Sequence, residues 1–99
     1  MANSTIKLNA PSHYTRVLLP QNADLDDYSD TGFFAWTWGS EGTIAHSPTN
    51  RVFTMIVVNK NQTLGSNQMI LDNEGNIYYR VRWSTGWQAW RKVTTTAVT

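Results

Sequence analysis

Apolar and polar positions alternate along most of this chain with a period of two, the mark of strands rather than helices. From Gly32 onward, Phe34, Trp36 and Trp38 fall on one side and Phe33, Ala35 and Thr37 on the other, and Gly39 closes the run. Positions 52–58, with Val52, Ile56 and Val58 among them, are apolar on both sides and predict a central strand covered on both faces. A turn is expected at 59–62. Positions 68–71 and 77–83, separated by a polar stretch around Gly75, predict a hairpin. Its second strand is expected to point Ile77, Tyr79, Val81 and Trp83 inward and Tyr78, Arg80 and Arg82 outward. The last element is placed at 87–93, after a turn of Ser84, Thr85 and Gly86.

One stretch departs from this period. The carboxylates of Asp24, Asp26 and Asp27 suit the positive end of a single helical turn, capped by Asp24 or Asn22, with Leu25 and Tyr28 facing inward. The pattern as a whole predicts a mainly β fold, a small antiparallel β-sandwich-like or mixed-sheet domain with one short helical turn near the N-terminal third. Residues 1–20 read as an extended N-terminal arm punctuated by Pro11 and Pro20, residues 21–93 as the β-rich domain and residues 94–99 as a Thr-rich tail.

Composition sharpens the picture of the core. With 99 residues, 40% of them apolar, there is room for one domain with little aliphatic mass. Five Trp, four Tyr and three Phe must therefore supply much of the buried area. The expected core is Leu25, Phe33, Val52, Ile56, Val58, Ile77, Tyr79, Val81 and Trp90. Eight basic against seven acidic side chains leave a net charge of +1, too weak a field to hold a polyanion, so no nucleic-acid partner is expected. The chain has no cysteine, which removes disulfides, thiolate metal sites and cysteine nucleophiles together. No apolar run is long enough to span a bilayer and the start carries no export signal, so we expect synthesis in the cytoplasm and no membrane insertion.

Reaction chemistry is hard to find. Neither His13 nor His46 stands at the spacing of a nucleophile motif, and nothing pairs any two of the two Glu and five Asp. The run 24–30 superficially resembles a calcium loop, but Ser29 stands where that loop needs glycine and no Glu follows at its twelfth position. No enzyme activity, cofactor or metal is expected. Contact chemistry remains. Trp38, Tyr78, Arg80, Arg82 and Trp87 are the candidate ligand-binding residues, because rings offer flat apolar surface and guanidinium groups fork onto carboxylates or hydroxyls. Trp87 and Trp90 would lie on opposite faces of a strand, or together on one helical turn.

The order of several short signatures adds a resemblance. Ala23, Asp24, Leu25 and Asp26, then Gly32, Phe33 and Phe34, then Ser47 and Pro48, the apolar strand at 52–58, Tyr79 with Arg80, and finally Trp87, Trp90 and Arg91 follow in a series. That series resembles the knob domain of bacteriophage and pyocin tail fibres, over about residues 20–93. The resemblance implies a non-catalytic module on a homotrimeric virion fibre, at or near the end that meets the bacterial surface. It leads to the expectation of a receptor-binding knob in the virion that grips a cell-surface glycan, with other fibre or capsid proteins as partners. The alternative is a purely structural virion protein, serving trimerisation, a fibre tip or capsid decoration. The Trp-rich first strand and the polar turn at 84–86 depart from the family pattern.

Overall fold

Strands account for most of the regular structure in the computed structural model, which describes residues 15–61 and 65–99. The main sheet contains β1 (Arg16–Leu18), β3 (Gly32–Trp36), β5 (Phe53–Asn61), β6 (Gly65–Asp72), β7 (Ile77–Trp83), β8 (Gly86–Trp87) and β9 (Arg91–Lys92). Its order is β1-β3-β5-β6-β7, and β7 then pairs with β8 at one end and β9 at the other. β1 joins β3 in parallel, whereas the other pairings of this sheet are antiparallel. The fold is thus mainly β with a mixed sheet, as expected. β1 and the buried Leu19 fall inside the stretch read as an N-terminal arm, of which residues 1–14 lie outside the described residues. Residues 94–99 are exposed and carry no regular structure.

A thinner layer covers one face of this sheet. It consists of the parallel pair β2 (Ala23–Asp24) and β4 (Ile44–Ala45) and two single 3-10 turns, Leu25–Asp27 and Gly39–Glu41. The first turn is the expected helical one. Its cap is Asp24, whose Oδ1 accepts from the Asp26 amide at 2.9 Å. Leu19, Ala23 and Leu25 pack down onto Trp36, Phe53, Met55, Val57 and Ile70 of the sheet to form the buried core. Tyr28 and Phe34 flank it edge to face, 5.0 Å between ring centroids.

The cross-strand register explains where expectation and structure part. Residues directly opposed in an antiparallel ladder point to the same side of the sheet. Phe34, Met55, Ile70 and Tyr78 form one inward row, and Gly32, Val57, Gln68 and Arg80 form the next. With Ile70 and Gln68 fully buried, Tyr78 and Arg80 must face inward as well. The expected phase of β7 is therefore inverted: Arg80 is only 4% exposed and Tyr78 packs on the core, while Tyr79 and Trp83 are exposed. Of the expected core residues, Leu25 is buried; Val58 and Tyr79 are exposed; Phe33, Val52, Ile56, Ile77, Val81 and Trp90 are half-buried. The cause is one-sided cover. β5 was expected between two layers, yet among the described residues only its Phe53, Met55 and Val57 side is packed upon.

Two boundaries also moved. β5 runs on through Asn61, beyond the expected turn at 59, with a register irregularity between Asn59 and Asn61. β3 stops at Trp36, so Trp38 leaves the ring-bearing row and sits exposed at the head of the second 3-10 turn. No helix among the described residues is long and apolar enough to cross a membrane.

Candidate functional site

Arg80 is the centre of a densely bonded polar cluster. β7 brings its guanidinium under the covering layer, where Nε donates to Gln68 Oε1 at 2.8 Å and Nη1 pairs with Asp26 Oδ1 at 2.9 Å. The Trp87 and Trp90 rings lie 4.3 and 4.6 Å from its central carbon, one cation between two indoles. Nη2 is buried with no oxygen partner. The π faces on either side are the negative surfaces it meets instead. Burial pulls the Arg80 pKa down, and the hydrogen bond and charge of Asp26 work against that fall.

Each partner is fixed in turn. Gln68, fully buried, donates through Nε2 to the carbonyls of Leu25 and Tyr28, both at 2.8 Å, and so ties the sheet to the acidic turn. Trp87 Nε1 donates to the Asp26 carbonyl at 3.0 Å, and Trp90 Nε1 to the His46 carbonyl at 2.7 Å. The stretch between β8 and β9 has no regular structure, which lets Trp87 and Trp90 reach the same guanidinium despite their spacing. Neither of the two arrangements expected for them applies.

His46 completes the cluster from the loop after β4. It adopts φ +60°, a left-handed conformation uncommon for a residue with a Cβ, and its ring sits on the acidic turn. Nδ1 lies 2.7 Å from Asp24 Oδ1 and 3.3 Å from Asp26 Oδ2. The hydrogen bond to Asp24, helped by the Asp26 charge, raises the His46 pKa. In return His46, together with the Asp26 amide, holds Asp24 below the ordinary carboxylate value. Asp24, Asp26 and His46 are the group among the described residues that could ligate a metal, their donor atoms lying within 4.8 Å of one another. In the present arrangement the imidazole serves the carboxylates as a hydrogen-bonding partner.

A shallow depression of about 330 Å³ opens over this cluster, bordered by His46, Ser47, Trp87, Gln88 and Trp90. The charged groups there are already partnered, Arg80 with Asp26 and the His46 imidazole with Asp24. It offers indole surface, an exposed amide and an imidazole. Of the expected ligand-binding residues, Arg80 and Trp87 border the depression, whereas Trp38, Tyr78 and Arg82 do not. Tyr78 lies near Lys92, and Arg82 is paired with Trp87 across β7 and β8. Sequence reasoning gave no role to Gln68 or Gln88, and it set His46 aside for want of a nucleophile motif. The Asp24-x-Asp26 spacing was visible, as a cap, as a rejected calcium loop and as one signature of the resemblance, but not as the partner of His46.

Comparison with known proteins bears on the fold. No family model matches the sequence, and no curated protein matches it. Solved structures do. An N-truncated R2-type pyocin tail fibre matches with a TM-score of 0.74 and 20% identity over 86% of this chain. The R1 pyocin fibre of P. aeruginosa matches with a TM-score of 0.74 and 16% identity over 91% of this chain. The chain spans 34% and 24% of the length of those two fibre chains. The fold of this chain is therefore one that pyocin tail fibres also contain, which bears out the knob resemblance at the level of fold.

Proposed function

We propose that this chain is a non-enzymatic, homotrimeric fibre module of a virion or virion-like particle that binds a host cell-surface saccharide. Support for the setting comes from the fold shared with pyocin tail fibres. The observation that carries the binding role is the depression at His46, Gln88, Trp87 and Trp90, which joins flat aromatic surface to hydrogen-bonding groups, with the Arg80 charge already held by Asp26. A neutral, hydroxyl-rich ring suits such a surface, with its apolar face on an indole and its hydroxyls on the amide and imidazole. Arg80 is not the anion receptor that its charge suggested. Asp26 already neutralises it, and burial closes it to solvent.

Affinity at one such site would be low, and three linked copies raise it by about 10²-fold or more without new contacts. The other fibre or capsid proteins of the particle are the expected partners for assembly. The test is titration of the purified chain with envelope polysaccharide from candidate hosts. Wild type is expected to bind, and Gln88→Ala to weaken binding about tenfold, the value of one hydrogen bond. An intact host envelope that takes up no wild-type chain would contradict the reading and leave the structural virion role in its place.

A further inference from the structure

We infer that the outward face of the main sheet is buried against further copies of this same chain. The number of copies rests on the trimeric reading above; the face is argued independently of it.

The outward rows follow from the register. Phe33, Ile56, Met69 and Tyr79 stand side by side across four strands. Ala35, Thr54, Leu71 and Ile77 form a second row, with Leu18 of β1 beside Ala35. Val58, Asn67 and Val81 form a third. Between the bordering strands β1 and β9 these rows contain no charged side chain, and their polar groups are those of Thr54, Asn67 and the Tyr79 hydroxyl. An antiparallel sheet with one wet face alternates apolar inward and polar outward. β6 does the reverse: Ser66, Gln68 and Asp72 face inward with Ile70, while Met69 and Leu71 face outward. A strand written inside out in this way has two buried sides, of which the chain itself covers one.

The area fits self-association. Leu18, Val58, Met69, Leu71, Tyr79 and Trp83 are each 39–54% exposed. At roughly 100 Å² from each half-exposed large side chain, they present about 600 Å² per copy, the upper end of what monomers expose. Doubled, that is about 1,200 Å², where stable interfaces begin. The composition speaks for a copy of the chain rather than a foreign partner. Interfaces between permanently associated subunits resemble a core cut in half, whereas exchangeable partners meet on more polar surfaces. Charge is confined to the borders: Arg16 and Arg91 end the central row, and Lys60 lies by Trp83.

Three copies also fit the geometry. Five strands spaced about 4.8 Å make a sheet roughly 20 Å wide, and three such sheets closed into a triangle stand about 6 Å from the axis. That is close to half the ~10 Å between packed sheets, so Met, Tyr and Trp side chains reach the centre.

Light scattering and sedimentation of the full chain test the inference. Wild type is expected at three times the 11.2 kDa chain mass. Met69→Glu is expected to weaken assembly at least 100-fold while keeping the far-ultraviolet spectrum of a β protein, and Gln88→Glu on the opposite layer to leave assembly unchanged. Because the chain has no cysteine, Met69→Cys and Gln88→Cys supply a second readout free of any folding defect. The thiol at 69 should label at least tenfold more slowly than that at 88 in the assembled protein, and equally fast on dilution to monomer. A monomeric wild type, or a thiol at 69 that labels as fast as that at 88, overturns the inference. A trimer indifferent to Met69→Glu overturns the face and leaves the trimeric reading standing. A dimer that Met69→Glu dissociates upholds the face and overturns the threefold count.

Discussion

Replacing Arg80 with Ala is the most informative single perturbation, because four contacts of different kinds meet in that one side chain. Loss of the two indole contacts removes about 1 kcal/mol each at this burial. The pair with Asp26, whose side chain is 35% exposed, is discounted for solvent to about 1 kcal/mol or less. Gln68 Oε1 loses its donor while buried, at about 1–3 kcal/mol. The sum is about 4 kcal/mol, a large part of the ~5–15 kcal/mol that holds a domain together. At about 4–8 °C per kcal/mol, the melting temperature should fall by at least about 15 °C. Arg80→Lys keeps the charge without the planar stack or fork and should lose about half as much. The assay is urea unfolding at one fixed protein concentration, because the proposed assembly would make stability concentration-dependent. A loss below about 1 kcal/mol for Arg80→Ala would refute the claim that this guanidinium organises the covering layer.

Other predictions concern backbone and titration. Gly65 has φ +85°, and a Cβ there would stand 1.6 Å from the Arg82 carbonyl oxygen, so Gly65→Ala should cost more than about 3 kcal/mol in chemical unfolding. Gly75→Ala, at the same φ but with open space around it, should cost only about 1–2 kcal/mol; equal losses would contradict the contact. The His46 and Asp24 pair carries a pH signature. His46 is raised above its ordinary 6.5, so its contribution is complete below that value and fades as pH rises through the raised one. Asp24 is lowered from 3.8, so its contribution is complete above that value and fades as pH falls through the lowered one. The stability gap between wild type and His46→Ala should therefore be widest between about pH 4 and 6.5 and close at alkaline pH, as read from urea midpoints across that range. A gap constant from pH 5 to 10 would sink the pairing.

Local chemistry was the legible part of this sequence. Asp24 caps its turn through a bond to an amide two residues on, and Gly75 marks the hairpin between β6 and β7. Period two identified the strands. It could not set their phase, because hydropathy weighs side chains one at a time. In β6 the more apolar side, Met69 and Leu71, is the outward one. The chain buries Gln68 instead, since its amide satisfies two carbonyls of the acidic turn and its oxygen holds Arg80. Inverting β6 inverts β7 through their shared register, which accounts for the misplaced Tyr79 and Arg80 together. The rest of the site was invisible for a simpler reason. His46 meets Asp24 across 22 positions and Trp90 meets His46 across 44, pairings that only the folded chain creates.

The central claim is a proposed division of labour, with the outward sheet face meeting sister chains and the His46, Gln88 and Trp90 surface meeting a saccharide. Hydroxyl-radical footprinting of the assembled chain, with and without host envelope polysaccharide, tests it most directly. The account predicts that Met69, Leu71 and Tyr79 are protected in both conditions, and that His46 and Trp90 gain protection only with the polysaccharide. Polysaccharide-dependent protection of Met69 and Tyr79, with His46 and Trp90 unchanged, would contradict it.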